Sequence, residues 1–238
     1  MSHASDKSVL LTRSADDNAA WAEGLRARGF QPIECACLEL VRLPGGPDLE
    51  QSILNSDWLA FTSRRAVEVL HDELPELSGK ARLAAVGPAT AERLRAHYGR
   101  CDIESAEGTG ADLGVALARE GATAPIVFAA HGGRTDVEDE LAASGVRALR
   151  VELYTMRYIR GPLPTSASGA SAAFFASPSA VHAFVHRGPL PVDCLHISIG
   201  PTTSAALRDH NLPVHAESHT RDLDGMLQAL AQLPSRSS

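Results

Sequence analysis

The sequence predicts an α/β protein of two doubly wound parallel-sheet domains of similar size, joined by a two-stranded linker, with a discontinuous first domain. Three observations carry this expectation. Strand-length apolar runs alternate with amphipathic helical stretches, the alternation is written twice, and a long Pro/Gly-rich stretch interrupts each copy at the same place.

The strand candidates are short runs rich in Val, Ile, Leu and Phe: "VLL" at 9–11, "WLAF" at 58–61, "PIVFA" at 125–129, "AAFFA" at 172–176 and "HISI" at 196–199. Their length suits buried strands and is too short for independent helices. Between them lie helical stretches with apolar positions at three-and-four spacing, such as "DDNAAWAEGLRARG", "PATAERLRAH" and "TDVEDELAASG". The first and last end in Gly29 and Gly145, as a helix C-terminus favours. Strand, helix, strand, helix implies parallel sheets with right-handed crossovers.

The duplication shows in four segments that recur in order. "EGLRARG" matches "DELAASG", with Gly29 and Gly145 separated by 116 residues. "LAFTSRRAVEV" matches "AFFASPSAVHA" at 114 residues, pairing Phe61 with Phe175 and Ser63 with Ser177. "AAVGPATAERL" matches "ISIGPTTSAAL" at 113 residues, pairing Gly87 with Gly200 and Thr90 with Thr203. "AEGTGADLG" matches "AESHTRDLD" at 110 residues, pairing Asp112 with Asp222. A slowly drifting offset is what a duplication with small deletions leaves behind.

The stretches "VRLPGGPD" (41–48) and "IRGPLPTSASG" (159–169) each follow the same repeat segment. Their placement predicts one domain from residues 1–40 plus 165–238 and a second from 45–157, with linkers at about 41–44 and 158–164. Two crossings imply a cleft between the domains and a hinge that closes over a ligand.

Composition narrows the function classes. A net charge of −7 argues against nonspecific nucleic-acid binding, which needs a basic surface. No segment approaches the roughly 20 apolar residues of a membrane helix, and "MSHASDKS" has no apolar run behind a basic stretch, so a cytoplasmic protein without membrane partners is expected. Cys35, Cys37, Cys101 and Cys194 form no C-x-x-C pair and sit among apolar neighbours, which reads as buried thiols. "GTGADLG" has the wrong spacing for a dinucleotide loop, and its copy "SHTRDLD" lacks the glycines. His182 and His186 stand four apart on a helix without a third metal ligand, which reads as an exposed helix face. Nucleophile-elbow, H-E-x-x-H and P-loop motifs are absent.

Open parallel sheets bind ligands beyond the carboxyl ends of their strands, and the repeated phrases fall there. "FTSRRAV" and "FASPSAV" run strand, Ser, helix; "VGPAT" and "IGPTT" run strand, Gly, Pro at a helix start. Capping alone accounts for any single Ser or Thr. As a set, Thr62, Ser63, Thr90, Ser177, Thr202 and Thr203 mark helix N-termini whose N–H groups suit anions, and Arg13, Arg64, Arg65 and Arg134 in matching turns offer charge-assisted contacts. "VELYTMRYIRG" puts Tyr154 and Tyr158 on the second crossing strand, beside the expected cleft. Either Tyr packs there for its amphipathic bulk or it donates a proton, since a phenol keeps its proton at neutral pH.

The ordered set "LLTRS", "AFTSRRAV", "AVGPATAERL", "GRTDVEDELAASG…VELY", "FFASPSAV" and "IGPTTSAAL" resembles the uroporphyrinogen-III synthase family over nearly the whole chain. The resemblance implies two α/β domains on a two-stranded linker. It implies hydroxymethylbilane, a linear tetrapyrrole polycarboxylate, as substrate, and ring closure with inversion of the last pyrrole through a spiro intermediate, with loss of water. It also implies Tyr154 as donor to the leaving hydroxyl, with Arg13, Thr62, Ser63, Arg64, Thr90, Arg134, Ser177, Thr202 and Thr203 as substrate contacts. No cofactor and no metal are expected, and the enzyme is expected to work as a monomer on a small molecule. Arg65 stands where the family often has Asn, and Ala176 where it commonly has Thr. The alternative is a non-enzymatic two-domain sensor for an anionic small molecule.

Overall fold

The computed structural model describes residues 7–189 and 193–233. Along the chain run β1 (Ser8–Leu11), α1 (Ala15–Ala27), β2 (Gln31–Glu34), β3 (Leu38–Arg42), α2 (Leu49–Leu54), β4 (Trp58–Phe61), α3 (Arg64–Glu73), β5 (Arg82–Ala85), α4 (Pro88–Tyr98) and β6 (Ile103–Glu104). There follow α5 (Gly110–Arg119), β7 (Ile126–Ala130), α6 (Asp136–Ala143), β8 (Leu149–Tyr158), β9 (Ala172–Phe175), α7 (Pro178–Val185), β10 (Leu195–Ser198), α8 (Pro201–Asp209), β11 (Ala216–Glu217) and α9 (Leu223–Ala231). The chain divides into two compact units, residues 1–40 with 157–238, and residues 41–156.

The unit formed by the two ends holds a five-stranded sheet in the order β2-β1-β9-β10-β11, with every pairing parallel. Numbered within the unit this is 2-1-3-4-5, a doubly wound order whose direction reverses between β1 and β9. All four residues of β1 and of β9 are buried, as strands covered by helices on both faces must be. Val9, Leu11, Phe174 and Ile197 pack there with Leu25 of α1 and Met226 of α9.

The middle unit has the order β3-β8-β7-β4-β5-β6. Leaving β3 aside, the strand order equals that of the other unit with the chain cyclically permuted: β7 and β8 stand where β1 and β2 stand, and β4, β5 and β6 where β9, β10 and β11 stand. The reversal point here lies between β7 and β4, which pair in parallel through Phe61 and Phe128. Trp58, Ala60, Val127, Leu113 and Leu141 form a core cluster on one face of this sheet. The duplication thus preserves strand order while shifting where each copy begins.

The two passages between units run within strands. The boundaries fall between Leu40 and Val41 in β3 and between Met156 and Arg157 in β8, so both Pro/Gly stretches come after the chain has crossed. The exposed helix face expected around His182 also takes a different form: His182 is half-buried, and its Nδ1 lies 2.7 Å from Nε2 of His210, the residue that follows α8. The helical period shows which residues share a face, but not that the neighbouring helix meets that face with another imidazole.

Candidate active site

Local sequence sets the first part of the site. β4 ends at Phe61, and Ser63 takes an extended backbone (φ −159°, ψ 155°) that stops the strand and starts α3. Its Oγ accepts from the Ala66 N–H at 3.2 Å, a helix cap of the ordinary kind. Thr62 is committed to the sheet: its backbone N–H and its hydroxyl each donate to the Phe128 carbonyl at 3.1 Å, tying the end of β4 to β7.

Tyr154 reaches this turn from β8. The β7–β8 ladder shifts register between Ala129, opposite Glu152, and Ala130, opposite Tyr154, so Leu153 is an extra residue. Such a bulge re-aims the side chains beyond it. Leu153 and Tyr154 are consequently both buried although they are neighbours in a strand. The Tyr154 hydroxyl lies 2.9 Å from Ser63 Oγ. Either hydroxyl can donate in this contact; when Ser63 gives its proton to the phenol oxygen, the phenolic proton is left for a third group.

The turn after β7 is fastened to the same strand. His131 N–H donates to the Tyr154 carbonyl at 2.7 Å, and the Glu152 carboxylate takes His131 Nδ1 at 2.6 Å and the Gly132 N–H at 3.2 Å. The His131 bond holds the Glu152 carboxyl below its ordinary range. Arg150 donates to the carbonyls of Ala130, Gly133 and Arg134 and pairs with Glu138. At the end of this turn Arg134 extends into solvent, 86% exposed, with Asp136 at 2.7 Å. Arg64 is half-buried at the first position of α3, while Thr90 is buried in the first turn of α4, behind the Gly87 cap whose φ of 77° suits only glycine well. These residues of the middle unit gather at the carboxyl ends of β4, β5 and β7 and along the first part of β8, on both sides of the reversal point.

The other unit repeats the arrangement without the phenol. Ser177 has the conformation of Ser63 (φ −167°, ψ 157°) and caps α7 through the Ala180 N–H at 3.1 Å. Thr202 is exposed in the first turn of α8 and Thr203 is buried beside it. Arg13 follows β1, its guanidinium 3.5 Å from the Asp17 carboxylate and 4.7 Å from the Trp21 ring centroid. Asn18, fully buried, accepts from the Arg13 N–H at 3.0 Å and donates to the Leu11 carbonyl at 3.1 Å. Ser198, Ser204 and Glu217 form a chain of 2.5 Å hydrogen bonds that pins the start of α8; Ala85 and Ala91 hold the corresponding places in the other copy.

Sequence reading missed Glu152, Arg150, His131, Asn18 and the Ser198–Ser204–Glu217 chain. Glu152 stands two residues before Tyr154, and alternation along a strand was the one available signal. Among the described residues no group of three or more His, Cys, Asp or Glu side chains is placed to hold a metal ion, and no helix is long and apolar enough to cross a membrane.

Comparison with known proteins bears on this geometry. A family model described as uroporphyrinogen-III synthase HemD matches residues 19–228. The chain belongs to the uroporphyrinogen-III synthase family. A curated uroporphyrinogen-III synthase from Synechococcus elongatus is 28% identical over 251 residues, covering 95% of each chain. A porphyrin biosynthesis protein HemD from Ruminiclostridium josui is 27% identical over 94% of this chain, which spans only 48% of that longer protein. The fold is that of solved synthases: the Helicobacter pylori enzyme superposes with a TM-score of 0.68 over 96% of this chain and all of its own, at 17% identity. A Thermus thermophilus synthase gives 0.55 over 94% and 97%, also at 17% identity. The family is one of cyclising enzymes of porphyrin biosynthesis, and its match gives the non-enzymatic sensor no support.

Proposed function

We propose that this chain is a working uroporphyrinogen-III synthase, converting hydroxymethylbilane to uroporphyrinogen III with loss of water and inversion of the terminal pyrrole. The observation that carries the reading is the Tyr154–Ser63 hydrogen bond of 2.9 Å at the reversal point of the middle sheet, in a chain of this family. The terminal hydroxyl of the substrate must leave, and it leaves as water when a donor supplies a proton. Tyr154 has that proton to give once Ser63 donates to the phenol oxygen. Departure leaves an electrophilic methylene conjugated to a pyrrole, which the substrate's own rings attack, so no cofactor is required. Closure without inversion needs no enzyme, and the protein's task is to hold the chain so that the inverting attack wins.

Carboxylates on the substrate suit the helix starts. In the middle unit these are Thr62, Ser63 and Arg64 at α3, Thr90 at α4 and Arg134 on its tethered turn; in the other unit they are Arg13, Ser177 at α7, and Thr202 and Thr203 at α8. Thr90 and Thr203 are buried, so they act by shaping the first helical turn, while Thr202 and Arg134 are exposed for direct contact. The reading includes a cytoplasmic monomer without nucleic-acid or membrane partners.

The decisive experiment incubates the purified protein with freshly prepared hydroxymethylbilane and separates the oxidised products by isomer. Excess type III isomer supports the synthase. Type I alone, as without protein, refutes it.

A further inference from the structure

Away from the strand ends that carry the proposed reaction, three residues of the unit formed by the chain's two ends make an unusual group. Cys35 and Cys37 lie just after β2 with their sulfurs 4.0 Å apart. Both side chains are buried, at 2% and 0% exposure. Backbone bonds fix the pair: Cys35 N–H donates to Leu11 at 2.9 Å and Cys37 N–H to Arg13 at 3.0 Å. The single proton of the Cys37 thiol has two acceptors within reach, the Cys35 carbonyl at 3.2 Å and Cys35 Sγ at 4.0 Å.

Arg187 closes the group. Its Nη1 donates to Cys35 Sγ at 3.3 Å, lies 3.8 Å from Cys37 Sγ and donates to the Ala36 carbonyl at 2.6 Å. Its Nε and Nη2 donate to the carbonyls of Gly161 and Pro162 at 3.2 and 3.1 Å. Among the described residues no carboxylate pairs with this half-buried guanidinium. A cation so placed gains most from an anion, and the groups that can become one there are the two thiols. The bond from Cys37 and the charge of Arg187 draw the Cys35 thiol below the ordinary range against its burial, while the bond with Cys35 and burial push Cys37 up. One sulfur is thereby suited to attack and its neighbour keeps a proton. The same guanidinium repels a metal cation, so the pair is a poor soft-metal site.

We propose that Cys35 and Cys37 form a hydroperoxide-oxidisable dithiol, with Cys35 as the attacking thiolate, Arg187 as its counter-ion and Cys37 as the resolving thiol. In the first step the Cys35 thiolate attacks one oxygen of the hydroperoxide. The O–O bond breaks, sulfur takes the hydroxyl as sulfenic acid, and the leaving oxygen departs as hydroxide or alkoxide and takes up a proton. In the second step the Cys37 sulfur attacks the sulfenic sulfur and water leaves with the Cys37 proton. Two electrons have passed from the sulfurs to the peroxide, and a disulfide joins Cys35 to Cys37. Hydrogen peroxide is hardly larger than water, so it suits a site of this small exposure. Bond formation closes the sulfurs from 4.0 Å to about 2.05 Å.

The test treats the folded protein with hydrogen peroxide, alkylates remaining thiols and maps each cysteine by mass spectrometry. The expected result is loss of two hydrogens from the peptide holding Cys35 and Cys37 before Cys101 reacts. Cys101 is the sharp control, being the least buried of the four, with a thiol pushed up by burial. Access alone would make it react first, and that outcome overturns the proposal. So does a Cys35–Cys37 pair that reacts only after unfolding in urea. Cys37→Ser is expected to stop at a dimedone-reactive sulfenic acid on Cys35. Arg187→Met is expected to slow the first step about tenfold, because the Cys35 thiolate then lacks its counter-ion. Arg187→Lys, which keeps the charge, is expected to recover most of that rate. An Arg187→Met rate equal to the parent's overturns the counter-ion and with it the proposal.

Discussion

The hydroxyl of Tyr154 lies 2.9 Å from the Oγ of Ser63, although 91 residues separate them in the chain. The strand bulge at Leu153 and the helix cap at Ser63 meet in that bond. A Tyr154→Phe variant keeps the packing and removes the proton. Turnover of hydroxymethylbilane is expected to fall about 10²-fold or more, the scale of a lost general acid, with a much smaller change in KM. Turnover equal to that of the parent would sink the acid role.

Ser63 serves the helix and the phenol together. Ser63→Ala is expected to cost about 1 kcal/mol through the lost cap, a drop in Tm of about 2–4 °C. Ser177→Ala removes a cap of matching geometry in the other unit and calibrates that loss of stability. Ser63→Ala should in addition reduce kcat, because the phenol then has no serine proton to accept. A Ser63→Ala enzyme with lower Tm and unaltered kcat would show that the bond to Tyr154 is packing alone.

Arg150 holds the turn that ends in Arg134 by its bonds to the Ala130, Gly133 and Arg134 carbonyls. Replacing it with Met leaves those acceptors and Glu138 unmatched, at about 1–3 kcal/mol. Amide hydrogen exchange at 131–135 should quicken in Arg150→Met more than at β7 itself. Uniform exchange across both segments would mean that the tether is not local.

Gly114 lies where α5 meets α6, and a Cβ there would stand 2.7 Å from the Val137 carbonyl oxygen and 2.7 Å from Glu140 Cβ. Alanine gains about 1 kcal/mol of helix propensity but must push a backbone oxygen away, and overpacking costs about 1–3 kcal/mol. Gly114→Ala should therefore lower the urea midpoint with an unaltered m-value. A raised midpoint would show that the two helices separate at little cost.

Acid should weaken the fold in part through His196. Burial, with His215 beside it, holds its imidazole below the ordinary value, outweighing the bond to the Pro213 carbonyl. The folded state then binds fewer protons than the unfolded chain as the pH drops below about 6.5. The contribution is present above that point and is lost as the pH falls toward the depressed folded value. Urea midpoints measured at about pH 7.5 and about pH 5.5 should differ less in His196→Asn than in the parent, since an amide does not titrate there. An equal difference would assign the acid sensitivity to other groups.

The strands were legible in the sequence because buried parallel strands are written as continuous apolar runs, and "WLAF" or "AAFF" has no competing period. The duplication was legible for a related reason: Gly87 and Gly200, or Ser63 and Ser177, sit at helix starts where backbone geometry admits few residue types. Tyr154 stood out by its place on a long strand. Glu152 and Arg150 did not, because a charged residue in a strand reads as a solvated face until the turn that it holds is seen. Cys35 and Cys37 read as buried thiols, because the guanidinium beside them belongs to Arg187, 150 positions beyond Cys37.

By itself, then, the sequence determined the local conformations, the repeat and the row of helix starts, all of which depend on contacts between residues close in the chain. Tertiary structure alone decided that Leu153 bulges, that Tyr154 meets Ser63, and that Arg187 faces two sulfurs. Those are pairings across distant segments, fixed by strand order and register, and a one-residue shift in either leaves the sequence pattern unchanged while moving every partner.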